Sequence, residues 1–133
     1  MCGIVGGNSE RNILPILVEG LKRLEYRGYD SAGVAFKKNG SICVTKNLGR
    51  VNQLTKKLNL KTNHSNLGIA HTRWATHGIP SEKNAHPHNS KNIFVVHNGI
   101  IENHNDLKAD LKADGIRFST QTDSEVIAHL IRT

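Results

Sequence analysis

A cysteine at position 2, directly behind the initiator methionine, heads the run Gly3-Ile4-Val5-Gly6. With Met1 removed, Cys2 carries a thiol nucleophile and a free α-amine on one residue. An ordinary thiol titrates near about 8.5 and an α-amine near about 7.7–8.0, so the amine takes the thiol proton at little cost. This is the N-terminal-amine form of an activated nucleophile. A small buried hydrophobe would explain a cysteine at position 2 equally well, so the rest of the chain must decide.

Four further positions have residue types suited to acyl transfer on an amino acid. Arg73 lies in His71-Thr72-Arg73-Trp74-Ala75-Thr76-His77-Gly78, where a strand-like stretch gives way to a polar loop. An arginine there holds a carboxylate through two parallel hydrogen bonds, although an ordinary salt bridge also accounts for it. Trp74 beside it reads more readily as core than as a lid. Asn98-Gly99 is a turn signal. Yet a side-chain amide next to a glycine N–H also forms an oxyanion hole, in which one donor is worth roughly 10²–10³ in rate. Asp123 precedes an amphipathic stretch, where a carboxylate at a helix start is favourable by about 0.3–1 kcal/mol. Pointed into a pocket, it would bind an ammonium group instead.

The 8 histidines raise the question of a metal, with His86-Pro87-His88 the tightest pair. A zinc site wants a third ligand in compatible spacing, and the 82–104 stretch adds only Glu82 and Glu102. No metal is expected. The two cysteines, Cys2 and Cys43, have neither disulfide nor metal spacing.

These residues need elements to position them. Residues 2–7 read as a buried strand. A helix over 10–26 follows, capped at Asn8-Ser9, with Ile13, Leu17, Leu21 and Leu24 at helical spacing and Pro15 near its start. Residues 29–31 read as loop. Strands 33–36 and 41–45 flank Asn39-Gly40, a strong hairpin signal. A short helix covers 50–59, and 67–72 reads as a strand entering a polar loop over 73–88. The apolar run 93–97 predicts a strand covered on both faces. After the turn at Asn98-Gly99, Asn105 is expected to cap a helix over 106–113 that stops at Gly115. Thr122-Asp123-Ser124-Glu125 has the spacing of a capping box and opens a last helix through Ile131. Hairpin-paired strands with helices outside predict an α+β layered fold. The chain stops inside a helix whose apolar face (Val126, Ile127, Leu130, Ile131) still needs a partner, so a fragment of a longer protein is expected.

Composition narrows the function classes. With 133 residues, 37% hydrophobic content, 12 glycines and 3 prolines, the chain fits one ordinary soluble domain. No apolar run approaches the roughly 20 residues of a membrane span, and the N-terminus lacks the basic segment and long apolar stretch of a secretory signal, so export is not expected. The net charge of +7 suggests an anionic partner. Against nucleic acid, the lysines are scattered and never interleave with aromatics, which make up 5% of the chain. A basic solvated surface is the simpler reading.

Several segments recur together in one known family, in this order: Cys2-Gly3-Ile4-Val5-Gly6, the run from Leu24 to Gly33, His71 to Gly78, Asn84 to His88, His97 to His104, and Thr122-Asp123-Ser124-Glu125. The chain resembles the glutaminase domain of the glutamine–fructose-6-phosphate aminotransferase (isomerizing) family, the glucosamine-6-phosphate synthases. The Cys-Gly-Ile opening is shared more widely among class II glutamine amidotransferases, of which amidophosphoribosyltransferase is the alternative. The resemblance implies an N-terminal-nucleophile hydrolase, a four-layer αββα sandwich of antiparallel sheets that is incomplete in this chain. Residues 1–133 would be the N-terminal part of the glutaminase domain, with the sugar-isomerase domains absent.

The resemblance also implies roles. Cys2 is the nucleophile and its α-amine the base, while Asn98 and the Gly99 N–H form the oxyanion hole. Arg73 binds the α-carboxylate of L-glutamine and Asp123 its α-ammonium. Thr76 and His77 line the pocket in a loop that closes over substrate. Trp74 shields the site and helps pass ammonia onward, and Arg27 supports the cysteine end. The implied reaction converts glutamine to glutamate and ammonia through a cysteine thioester. In the full-length enzyme that ammonia turns fructose 6-phosphate into glucosamine 6-phosphate. No cofactor, nucleic acid or membrane partner is implied; the full-length enzyme is expected to be a cytoplasmic homo-oligomer.

Overall fold

The computed structural model describes residues 2–75 and 78–133. In chain order the elements are β1 (Gly3–Asn8), α1 (Leu14–Leu24), a 3-10 turn (Glu25–Arg27), β2 (Ser31–Lys38), β3 (Ser41–Leu48), α2 (Val51–Leu58) and β4 (Leu67–Arg73). They continue with β5 (His88–Ser90), β6 (Ile93–Val95), α3 (His104–Ala113) and α4 (Glu125–Arg132). Strands β1, β4, β2 and β3 form an antiparallel sheet in that order, and β5 and β6 form a separate hairpin.

Side chains alternate across a strand, so each strand of the larger sheet serves two layers. Ala32, Val34 and Phe36 of β2 and Ala70 of β4 pack against Leu14, Leu17, Val18 and Leu21 of α1 and Val51, Leu54 and Leu58 of α2. Each fully buried leucine here contributes about 1.5–3 kcal/mol. The opposite face of β2 is buried as well, by the segment leading into β5. A Cβ at Gly33 would lie 1.8 Å from the His86 carbonyl oxygen, so this glycine is where the second layer rests directly on the sheet. Helix α4 covers the far side of the β5–β6 hairpin, with α3 against it. The order of layers is therefore helix, sheet, sheet, helix. Among the described residues no helix is long and apolar enough to cross a membrane.

Several local expectations need correction. Helix α1 starts at Leu14, not residue 10, and Asn8 is the last residue of β1, opposite Leu67. Pro15, with its fixed φ and missing N–H, sits in the first turn. The Asn12 side chain accepts the Leu14 N–H at 3.4 Å and the Ser65 N–H at 3.0 Å. Strand β2 begins at Ser31, inside the expected loop. Helix α3 begins at His104, so Asn105 is not its cap. The capping box does not form either: Ser124 is the N-cap of α4 and makes no side-chain cap bond. The Glu125 carboxylate is taken instead by the N–H and hydroxyl groups of Ser119 and Thr120.

The run 93–97 also differs. Only Ile93–Val95 is strand, and it is half-buried on a two-stranded sheet too narrow to cover the larger one. A hollow of about 220 Å³ remains between Phe94 and residues such as Ala35, Ile42 and Ile69. Other expectations fit closely. Asn39 and Gly40 both adopt positive φ, 52° and 79°, as the tight hairpin turn requires.

Candidate active site

The register of β1 on β4 places the first two site residues. Gly3 opposes Thr72, and both face α1: a Cβ on Gly3 would meet Leu24 at 2.6 Å and the Thr72 hydroxyl at 2.8 Å. Their neighbours Cys2 and Arg73 therefore point the other way, toward the second layer, from adjacent strand ends. Asn98 and Gly99 arrive from the segment after β6, and Asp123 from the segment before α4. Cys2, Arg73, Trp74, Gly99 and Asp123 line one small cavity of about 20 Å³, with His86, His97, Thr122 and Ser124 completing its wall. That volume holds about one water molecule. A substrate amino acid enters only if part of this wall moves.

Cys2 is held at both of its functional atoms. The Trp74 N–H donates to Sγ at 3.3 Å, and the Trp74 carbonyl lies 3.7 Å from the same atom. The Cys2 nitrogen donates to Asn98 Oδ1 at 3.2 Å. This bond orients the amide: the oxygen faces the cysteine nitrogen, and among the described residues none accepts from Asn98 Nδ2. Gly99, the next residue, lines the cavity and brings its backbone N–H to the same segment.

Arg73 is buried, and its guanidinium donates to the carbonyls of Gly78 at 3.2 Å and Ile79 at 3.1 Å, with Asp30 Oδ1 at 3.9 Å. Burial lowers its pKa from the ordinary value, and the negative charges of Asp30, Cys2 and Asp123 oppose that shift. Arginine remains a cation throughout. Asp30 organises this corner: it also accepts the Ala75 N–H and the Ser31 hydroxyl, tying the strand end that carries Arg73 and Trp74 to the start of β2. Asp123, also buried, accepts the Ile101 N–H at 2.8 Å and so braces the turn after Gly99. A cation at one end and a carboxylate at the other suit the two charged groups of a free amino acid.

The remaining expected site residues are placed less centrally. Trp74 lines the cavity with 54% of its surface exposed, so it is a rim residue and not core. Arg27 is half-buried on the 3-10 turn and is not among the cavity-lining residues. Thr76 and His77 lie outside the described residues. Among the described residues no group of three or more His, Cys, Asp or Glu is placed to hold a metal ion.

The sequence points to His86 and His88 only as a metal pair and gives His71 no role of its own; in the structure His86 lines the cavity, and His71 and His88 pack against its ring. His71 and His86 stack with ring centroids 3.8 Å apart, and His88 tilts against His86 at 4.3 Å. Burial, together with the positive charge of neighbours including Arg73 and Lys46, keeps all three neutral. His71 is lowered to about 4, His88 to about 3, and His86 well below its ordinary value. Their folded-state pKa values lie below the unfolded value near 6.5. As pH falls through 6.5 the unfolded chain therefore takes up protons that the folded chain refuses. Stability present above pH 6.5 is lost toward pH 4, at roughly 1 kcal/mol per pH unit for each histidine. Melting temperatures measured between pH 7.5 and 4.5 are expected to fall steeply below about 6.5, and a flat profile would contradict the burial of these rings.

Comparison with known proteins bears on this geometry. A family model described as glutamine amidotransferase domain matches residues 57–133, more than half the chain. The glutamine–fructose-6-phosphate aminotransferase (isomerizing) of Acinetobacter baylyi is 60% identical over 131 residues, covering 98% of this chain and 21% of that protein. Its namesake in Escherichia coli K12 is 57% identical over 132 residues, again 98% of this chain and 22% of the relative. The chain thus spans about a fifth of the length of these curated relatives.

Among solved structures, the glutamine phosphoribosylpyrophosphate amidotransferase from B. subtilis superposes with a TM-score of 0.84 at 29% identity, over 98% of this chain and 29% of that one. A structure of the allosteric regulatory enzyme of purine biosynthesis gives 0.85 at 31% identity, with the same coverage. The layered α+β architecture is therefore that of the N-terminal-nucleophile amidotransferases. With the family model matching more than half of the chain and the fold shared over 98% of it, this chain belongs to the glutamine amidotransferase domain family.

Proposed function

We propose that this chain hydrolyses L-glutamine through a thioester on Cys2, as the N-terminal part of a glutaminase domain whose sugar-isomerase domains lie outside it. One observation carries the reading. The Cys2 backbone N–H donates to Asn98 Oδ1 at 3.2 Å, and Cys2 lines one cavity together with Gly99, Arg73 and Asp123.

The chemistry follows from these groups, given a free α-amine on Cys2. The amine takes the thiol proton, and Sγ attacks the side-chain carboxamide carbon of glutamine. The carbonyl oxygen becomes an oxyanion that accepts from Asn98 Nδ2 and the Gly99 N–H. As the tetrahedral intermediate collapses, the C–N bond breaks and the protonated amine supplies the proton with which ammonia leaves. Water, deprotonated by the same amine, then attacks the thioester, releasing glutamate and returning the proton to sulfur. Arg73 and Asp123 orient the substrate by its α-carboxylate and α-ammonium. Two charge-assisted contacts select the free amino acid over a glutamine within a chain. Trp74, Thr76, His77 and Arg27 take the supporting roles that the resemblance implies.

The curated relatives bear the name glutamine–fructose-6-phosphate aminotransferase (isomerizing). On that ground the ammonia serves conversion of fructose 6-phosphate to glucosamine 6-phosphate in the full-length enzyme. A cytoplasmic location and a homo-oligomeric full-length enzyme go with this reading.

The experiment is a glutaminase assay of the Arg73→Lys variant. A lysine keeps the charge but loses the two-pronged fork. Losing one charge-assisted hydrogen bond to the carboxylate is expected to raise KM for glutamine about 10–100-fold with a smaller change in kcat. An unchanged KM would remove Arg73 from substrate binding. No glutamate and ammonia in equal amounts from the unaltered protein would overturn the reading as a whole.

A further inference from the structure

His71 is fully buried on β4, faces the second layer, and has no part in the chemistry above. Its Nε2 lies 2.9 Å from the His97 carbonyl oxygen. A carbonyl only accepts, so Nε2 carries the proton and the neutral ring is fixed as the Nε2–H tautomer. That carbonyl belongs to the peptide group whose N–H is that of Asn98. The bond therefore sets the plane from which Asn98 and Gly99 depart.

His97 is gripped on its other sides too. Its N–H donates to His86 Nδ1 at 3.3 Å, and its ring Nδ1 lies 3.1 Å from the Ser124 hydroxyl. His86 in turn stacks on His71, so the imidazole that fixes the carbonyl also packs against the one that fixes the N–H. On the far side of the turn, the Ile101 N–H is held by Asp123. The two donors at 98 and 99 are thus suspended between anchored peptides at 97 and 101, each contact spanning different elements.

We propose that His71 is a positioning residue for glutamine hydrolysis: its Nε2–H holds the His97 carbonyl and so sets where Asn98 Nδ2 and the Gly99 N–H meet the oxyanion. The proposal rests on Asn98 and Gly99 being the oxyanion donors. His71 touches neither substrate nor the reacting atoms. Its effect comes through placement, for which displacements of about 0.5–1 Å are enough to cost up to 10²-fold in rate.

The test compares two variants of the intact protein, His71→Phe and His71→Gln. Phenylalanine keeps a ring to stack on His86 but cannot donate, whereas glutamine places an amide N–H near the position of Nε2. His71→Phe is expected to lower kcat about 10–100-fold with KM for glutamine within about twofold. Alkylation of Cys2 by iodoacetamide, which needs no oxyanion hole, is expected to keep its normal rate. His71→Gln is expected to recover most of the lost kcat. Normal kcat in His71→Phe overturns the proposal. So does an equal deficit in both variants, or a loss of alkylation in step with kcat, because either is what a packing role alone would give. Asn98→Ala run alongside separates the possible failures. A normal kcat there overturns the oxyanion assignment and the proposal with it, whereas an impaired Asn98→Ala beside a normal His71→Phe overturns the proposal alone.

Discussion

Cys2→Ala is expected to abolish glutamine hydrolysis, lowering kcat by at least about 10⁴-fold, as loss of a covalent nucleophile does elsewhere. The size follows from how much the one residue supplies. Without Sγ there is no thioester, and the general base is left with nothing to activate except water. Cys43 cannot stand in for it, because that side chain lies on β3 and packs against the helix-side core, on the other face of the sheet. The fold should be unaffected. Cys2 precedes β1 and is only half-buried, so truncation to alanine opens no large cavity. Thermal denaturation is expected to stay within a few degrees of the unaltered protein. Residual turnover at a tenth of normal would remove Cys2 from the reaction.

Asn98→Ala is expected to have the next largest effect, a fall in kcat of about 10²–10³ with little change in KM. The asymmetry is the informative part. A donor that meets the oxygen only once charge has developed contributes to the transition state and not to substrate binding. Asn98 also accepts from the Cys2 nitrogen at 3.2 Å. Its loss therefore frees the base to rotate, and some of the decrease belongs to that second contact. Equal proportional losses in kcat and in affinity would instead mark Asn98 as a structural turn residue.

How much of this was legible in the sequence depends on the range over which each residue acts. The hairpin at Asn39-Gly40 is a two-residue conformational signal and appears where expected. The start of α1 was misplaced because the residue that takes the orphan N–H is Asn12, which also bonds Ser65 across the fold. Glu125 has the right spacing for a capping box, but four hydrogen bonds from Ser119 and Thr120 outcompete the local arrangement. Burial pushes the Glu125 carboxyl upward, and those bonds outweigh it and hold it below its ordinary range. The covered strand expected at 93–97 failed for a reason of layer width, which an apolar run does not encode.

The site divides in the same way. Cys2, Arg73, Asn98, Gly99 and Asp123 could be named from residue type and neighbours, and the strand register explains how the first two meet. The engagement of Arg73 with the Gly78 and Ile79 carbonyls had no sequence signal, and neither did the bond from His71 to His97. Gly33 carries a further clue to the second layer. A glycine in the middle of a strand marks a close approach, here of the His86 carbonyl and with it the histidine stack.

The central claim is that Cys2, with its amine free, is the nucleophile of an assembled glutamine site. Intact-mass analysis of the Met1-free protein, before and after reaction with a diazo-ketone analogue of glutamine, tests it most directly. The account predicts one added label, mapped by peptide sequencing to Cys2 and prevented by excess L-glutamine. A label on Cys43, or no label on the Met1-free protein, would contradict it.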